Sequence, residues 1–175
     1  MPYFNIVAET SENTVVTEYE PVKKRSDSYQ SEAALEQEFI RLLCEQGYEY
    51  LPVHTERDLV ANLRIKLEEL NKYQFSDAEW EDFFKNTIAN PNEHIVEKTR
   101  TIQEDNVKVL KRDSGETKNI TLIDKTNIHN NRLQVINQYI VGKEDGAKHD
   151  NRYDVTVLVN GLPLVHIELK RRGVA

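Results

Sequence analysis

One cysteine in 175 residues has no partner for an internal disulfide, which fits a reducing cytoplasm. That residue, Cys44, stands among leucines on a helical stretch and reads as plain core filler. No apolar run reaches the length of a membrane span and no early stretch looks like a signal peptide, so no membrane partner is expected. Positive charge is in deficit, with 23 Lys and Arg against 30 Asp and Glu and a formal net charge of −7. That balance argues against a general nucleic-acid coat but leaves a local DNA contact open. Four of the five histidines (His54, His94, His129, His149) lack metal-ligand spacing. There is no serine or cysteine nucleophile constellation, internal repeat, low-complexity tract or G-x-x-x-x-G-K-[ST] loop, so ATP is not hydrolysed by that route.

What is present suits one soluble domain with a real core: 38% apolar and 30% charged residues. Residues 1–27 alternate weakly and read as an extended arm, with two short strands that cover the edge of another element. Its Lys23-Lys24-Arg25 triplet is most simply a solvated loop. Residues 28–46 form a helix. Asp27, Ser28 and Ser31 offer caps, Leu35, Phe39, Leu42 and Leu43 form an apolar stripe, and Gly47 stops it. Glu36 sits at the border of that stripe; taken alone it is a surface glutamate. Tyr48–Val53 is a short strand or extended link.

Residues 55–101 read as a helical insertion into a domain spanning 28–175. Thr55 caps a helix carrying Leu59, Leu63, Leu67 and Leu70. Ser76-Asp-Ala-Glu79 is a capping box ahead of Trp80, Phe83, Phe84 and Ile88, and Asn90-Pro91-Asn92 ends that helix before another at 93–101. The aromatic spacing is that of core packing rather than a base-stacking platform. From Glu104 the period becomes two, predicting strands at 107–110, 120–123 and 133–141 around the turn Asp113-Ser-Gly-Glu, then a polar loop at 142–151. A mixed sheet of four or five strands, with the 31–46 helix on one face, makes the fold class α/β (α+β).

The last strands are the most informative. Asn160-Gly161 is a strong hairpin signal between two alternating runs. Aligning the aliphatic sets Val155, Val157, Val159 and Val165, Ile167, Leu169 on one side places Asp154 opposite Glu168. A plain two-residue turn gives the wrong parity, so a three-residue connection or a bulge is expected near Gly161–Pro163. Opposed side chains stand roughly 5 Å apart, so two acids would converge with Lys170 two residues along. An acid facing Glu-X-Lys suits metal-dependent phosphodiester hydrolysis, where hard oxygens hold Mg²⁺ and an amine steadies the attacking water or developing charge. The plain alternative is a surface strand on which Lys170 neutralises Glu168.

The hairpin resembles the PD-(D/E)xK nuclease signature, with Asp154, Glu168 and Lys170 in the motif positions. The stretch Leu35-Glu36-Gln-Glu-Phe-Ile-Arg-Leu-Leu followed by Gly47-Tyr48 is similar to that superfamily's first helix, and Glu36 matches the glutamate that helps its metal site. Asp27-Ser-Tyr-Gln-Ser-Glu, Gly47-Tyr-Glu-Tyr and Asn151–Gly173 give the whole chain a closer resemblance to the N-terminal endonuclease domain of the R subunit of type I restriction–modification enzymes. The resemblance implies a PD-(D/E)xK mixed sheet with flanking helices. It implies a Mg²⁺-dependent endonuclease that cuts unmodified double-stranded DNA after ATP-driven translocation by a downstream motor, in complex with methylation and specificity subunits; ATP belongs only to the full-length subunit. Asp154, Glu168 and the Leu169 carbonyl would hold Mg²⁺, Lys170 would position the water, and Glu36 would orient it from the helix. Arg152, Arg171 and Arg172 would touch phosphates, and His166 would steady a ligand rather than be one. Such subunits continue with a Gln-X-X-X-Tyr helix and the motor, so the chain is expected to be a fragment truncated after the Glu-X-Lys strand. A second expectation, from a different class, is a catalytically silent domain that docks the motor onto its partner subunits.

Overall fold

A computed structural model describes residues 3–9, 15–20, 31–53, 55–141 and 151–170; for 3–9, 15–20, 139–141 and 151–152 only the backbone is described. The basic triplet at 23–25, the cap candidates Asp27 and Ser28, His54, His149, the loop at 142–150 and Arg171 and Arg172 lie outside those residues, as does the Arg152 side chain. The chain divides into two compact units, Met1–Gln30 and Ser31–Ala175. In the first, β1 (Tyr3–Glu9) and β2 (Val15–Glu20) pair antiparallel with a register shift between Ile6 and Ala8. These are the two short strands that the weak alternation predicts.

The second unit opens with α1 (Glu32–Glu45). Ser31 caps it by accepting from the Ala34 amide at 3.1 Å. Gly47, at φ +93°, ends it and donates to the Cys44 carbonyl. The buried face differs from the predicted stripe. Glu36 is the one buried residue of α1, whereas Leu42 is 41% exposed and Cys44 is exposed rather than core filler. Cys44 lies roughly a quarter-turn round the helix from Glu36, which carries it off the face that meets the sheet.

That sheet has four strands in the order β3 (Glu49–Tyr50), β6 (Leu133–Val141), β7 (Asn151–Val159), β8 (Leu162–Ile167). The β3–β6 pair is parallel and the other two are antiparallel, giving the mixed sheet of an α/β fold. The mixed sheet thus has four of the expected four or five strands, but β4 (Val107–Lys111) and β5 (Thr117–Thr121), expected within it, form a hairpin that stands apart as its own two-stranded sheet. Their buried side chains Leu110 and Ile120 join a core made by helices instead of extending β3–β8.

Those helices are α2 (Glu56–Asn71), α3 (Asp77–Phe83) running into a wide turn at Phe84–Ile88, and α4 (Ile95–Gln103). Thr55 and the Ser76/Glu79 capping box start α2 and α3 as predicted. Leu63, Leu67, Phe75, Trp80 and Phe83 share one core with Leu110, Ile120, Leu122 and Leu162, so the aromatic cluster is packing. Each such side chain contributes about 1.5–3 kcal/mol on burial. Glu79 is buried within this layer; the Tyr73 hydroxyl, the Ser76 and Asp113 amides and Arg112 hold its carboxyl below the usual range. On the sheet, Leu59 meets Ile136 and Leu158, and the Asn62 amide donates to Gln134 at 3.0 Å. No described helix is long and apolar enough to cross a membrane.

Candidate active site

The β7–β8 hairpin is anchored at its tip. Val159 pairs with Leu162, and Asn160 and Gly161 between them take φ +51° and +83°, the left-handed pair of a type I′ turn. Asn160 is fully buried. Its side chain donates to the Leu122 carbonyl at 3.0 Å and to Asn131 at 2.8 Å, and accepts from the Arg132 amide at 2.8 Å. Beyond the turn, the register shifts between Val157 and Leu158: Leu158 faces Pro163 while Val157 faces Val165, which leaves Leu164 as the extra residue. A bulge therefore exists, just past the predicted place and after a two-residue turn. It restores the parity that the aliphatic sets demand, with Val155 opposite Ile167 and Thr156 opposite His166.

At the open end of the hairpin stand the motif residues. One more step along this register sets Asp154 against Glu168, where the β8 ladder has ended. The Leu169 amide donates to Asp154 Oδ2 at 2.7 Å. The Lys170 ammonium donates to Glu168, and both side chains are about two-thirds exposed. That hydrogen bond and the Glu168 charge raise the Lys170 pKa, with Glu32 on α1 and Asp154 adding to the effect.

Glu36 approaches from the helix side and is not the surface residue its position suggests. It is 8% exposed, and its carboxylate accepts from Asn137 Nδ2 at 2.7 Å and from the Gln138 amide. Asn137 in turn accepts from the Tyr50 hydroxyl at 2.8 Å. Successive strand residues normally point to opposite faces, yet Asn137 and Gln138 both reach Glu36. Gln138 makes this possible with a left-handed backbone, φ +55°. A matching break occurs on β7, where Tyr153 stacks on His166 (centroids 4.1 Å) and Thr156, three residues on, bonds the same ring at 2.9 Å. The simple alternation expected around Asp154 therefore fails locally. His166 contacts Tyr153 and Thr156, and burial pushes its imidazole below the ordinary value.

Among the described residues, no three His, Cys, Asp or Glu side chains stand together as a ready metal cage. The donor chemistry still suits Mg²⁺, which keeps several waters and is commonly held through one or two carboxylates. Asp154 retains lone pairs beyond its one described bond, and Glu168 is exposed enough to turn. Gln138 Oε1 is a buried carbonyl oxygen with no partner, a condition that a cation relieves. Neither Asn137 nor Gln138 is singled out by sequence pattern, since both read as ordinary positions of an alternating strand.

A family model described as "Type I restriction enzyme R protein N terminus" matches residues 29–175. The chain is 46% identical over 170 residues to the "Type I restriction enzyme EcoprrI endonuclease subunit" of Escherichia coli, an alignment covering 97% of this chain and 53% of that subunit. It is 38% identical over 151 residues to a type I restriction enzyme endonuclease subunit of Staphylococcus saprophyticus, covering 83% of this chain and 15% of that protein. A Staphylococcus aureus counterpart is 36% identical over 149 residues, with coverage of 84% and 15%. The chain thus spans about half the length of the first relative and about a seventh of the other two.

Proposed function

Because the chain belongs to the family of type I restriction enzyme R protein N-termini, we propose that it is the DNA-cleaving domain of such a subunit, a Mg²⁺-dependent endonuclease of the PD-(D/E)xK kind. The placement of Asp154, bonded by the Leu169 amide, next to the Glu168–Lys170 pair at the open end of the hairpin is the observation that supports it. Asp154 and Glu168, with the Leu169 carbonyl, would hold the ion. Bound there, Mg²⁺ neutralises phosphate charge and lowers the pKa of the attacking water. Lys170, a cation at neutral pH, orients that water and offsets charge developing on the phosphate oxygens. Glu36, held by Asn137 and Gln138, orients water from the helix side. Arg152, Arg171 and Arg172 follow or flank the motif and contact DNA phosphates. Within the longer protein, a downstream ATP-driven motor and the methylation and specificity subunits bring double-stranded DNA to this domain in the cytoplasm.

One other reading, a silent docking domain for the partner subunits, accounts for the net charge of −7 and for the helical segment at 55–101. Calorimetric titration with Mn²⁺ separates the two. Binding that disappears in Asp154→Ala is expected; an isotherm that Asp154→Ala leaves unchanged favours docking.

A further inference from the structure

We infer that Gln138 is a further oxygen ligand at this site, its side-chain carbonyl completing the coordination of the ion held by Asp154 and Glu168. The inference rests on the Mg²⁺ reading above. Gln138 falls at the break in the β6–β7 ladder, between the pairs Asn137–Val155 and Tyr139–Tyr153, in the stretch of β6 that runs beside Asp154. Its amide is oriented by Glu36: the Gln138 nitrogen donates to that carboxyl, so the oxygen is turned elsewhere. That oxygen is buried without a hydrogen-bond partner, alone in this among the described side chains. A buried amide oxygen left unpaired costs about 1–3 kcal/mol, and a strained φ at a non-glycine residue inside a strand costs a similar amount. Both costs fall on one residue beside Asp154; the bond to Glu36 accounts for the backbone angle but leaves the oxygen unpaired. Strain of this kind persists where function requires it. Amide oxygens are ordinary ligands for hard divalent cations.

The test titrates the full chain with Mn²⁺ by calorimetry, with Asp154→Ala as the reference for complete loss. Gln138→Leu is expected to weaken Mn²⁺ binding about 10- to 100-fold. Where leucine disturbs folding, Gln138→Gly removes the same oxygen and suits the left-handed backbone. Gln138→Glu keeps an oxygen but loses the donor to Glu36, so it is expected to bind Mn²⁺ at least as tightly as wild type. Two results overturn the inference while leaving the metal site standing. One is wild-type affinity in Gln138→Leu when Asp154→Ala has lost binding. The other is an equal loss in Gln138→Glu and Gln138→Leu, which would make the residue a holder of Glu36 and nothing more. Failure of wild type to bind Mn²⁺ overturns both readings at once.

Discussion

Lys170→Ala is expected to lower DNA cleavage by the complete subunit about 10²–10³-fold, the typical cost of losing one group aimed at developing charge. The ammonium sits beside Glu168, one residue from the Leu169 amide that bonds Asp154. Its side chain is 65% exposed, so its removal opens no cavity and stability should stay within about 0.5 kcal/mol of wild type. Mn²⁺ binding should also survive, because Asp154 and Glu168 remain and Glu168 is released from its ion pair. In a subunit that carries the proposed motor, ATP hydrolysis should be untouched. Loss of ATP hydrolysis together with cleavage would mean that Lys170 supports the fold, and the role assigned to it would fall.

Gly161→Ala should be the most damaging Gly-to-Ala change among the described glycines. Its added carbon would lie 2.6 Å from Leu63 Cα and 3.0 Å from the Leu63 nitrogen, both backbone atoms of α2. The φ of +83° adds a conformational cost of roughly 1–2 kcal/mol, and displacing a packed helix adds about 1–3 kcal/mol. A loss of roughly 2–5 kcal/mol follows, a large share of the 5–15 kcal/mol typical of a domain. Gly115→Ala is the control: it has nearly the same φ, +84°, but nothing within 4 Å of the new carbon, so only the conformational cost applies. Urea denaturation should show the first variant losing at least twice as much stability as the second. Equal losses would mean that the close approach of hairpin and helix does not constrain the fold.

The terminal hairpin was legible because hydrophobic alternation leaves one admissible parity. Asp154 opposite Glu168 and the need for a bulge follow from side-chain facing alone, and the observed bulge at Leu164 meets that need. Helix starts at Thr55 and Ser76 were legible through capping chemistry, which is local. The surroundings of Glu36 were not. Its burial depends on amides 101 and 102 residues away, and Gln138 owes its position to a backbone angle that its side chain does not signal. Periodicity also misplaced Leu42 and Cys44, because several apolar residues on α1 mark a wide arc while the sheet takes only the part centred on Glu36. The separate β4–β5 sheet was hidden for a related reason. Alternation shows that two strands pair but not whether their apolar side meets a sheet or helices.

The most direct measurement is anomalous diffraction from crystals soaked in Mn²⁺. A peak within about 2–2.5 Å of carboxylate oxygens from both Asp154 and Glu168 is the result this account predicts. Ordered Asp154 and Glu168 side chains with no peak between them, at Mn²⁺ concentrations that support cleavage, would contradict it.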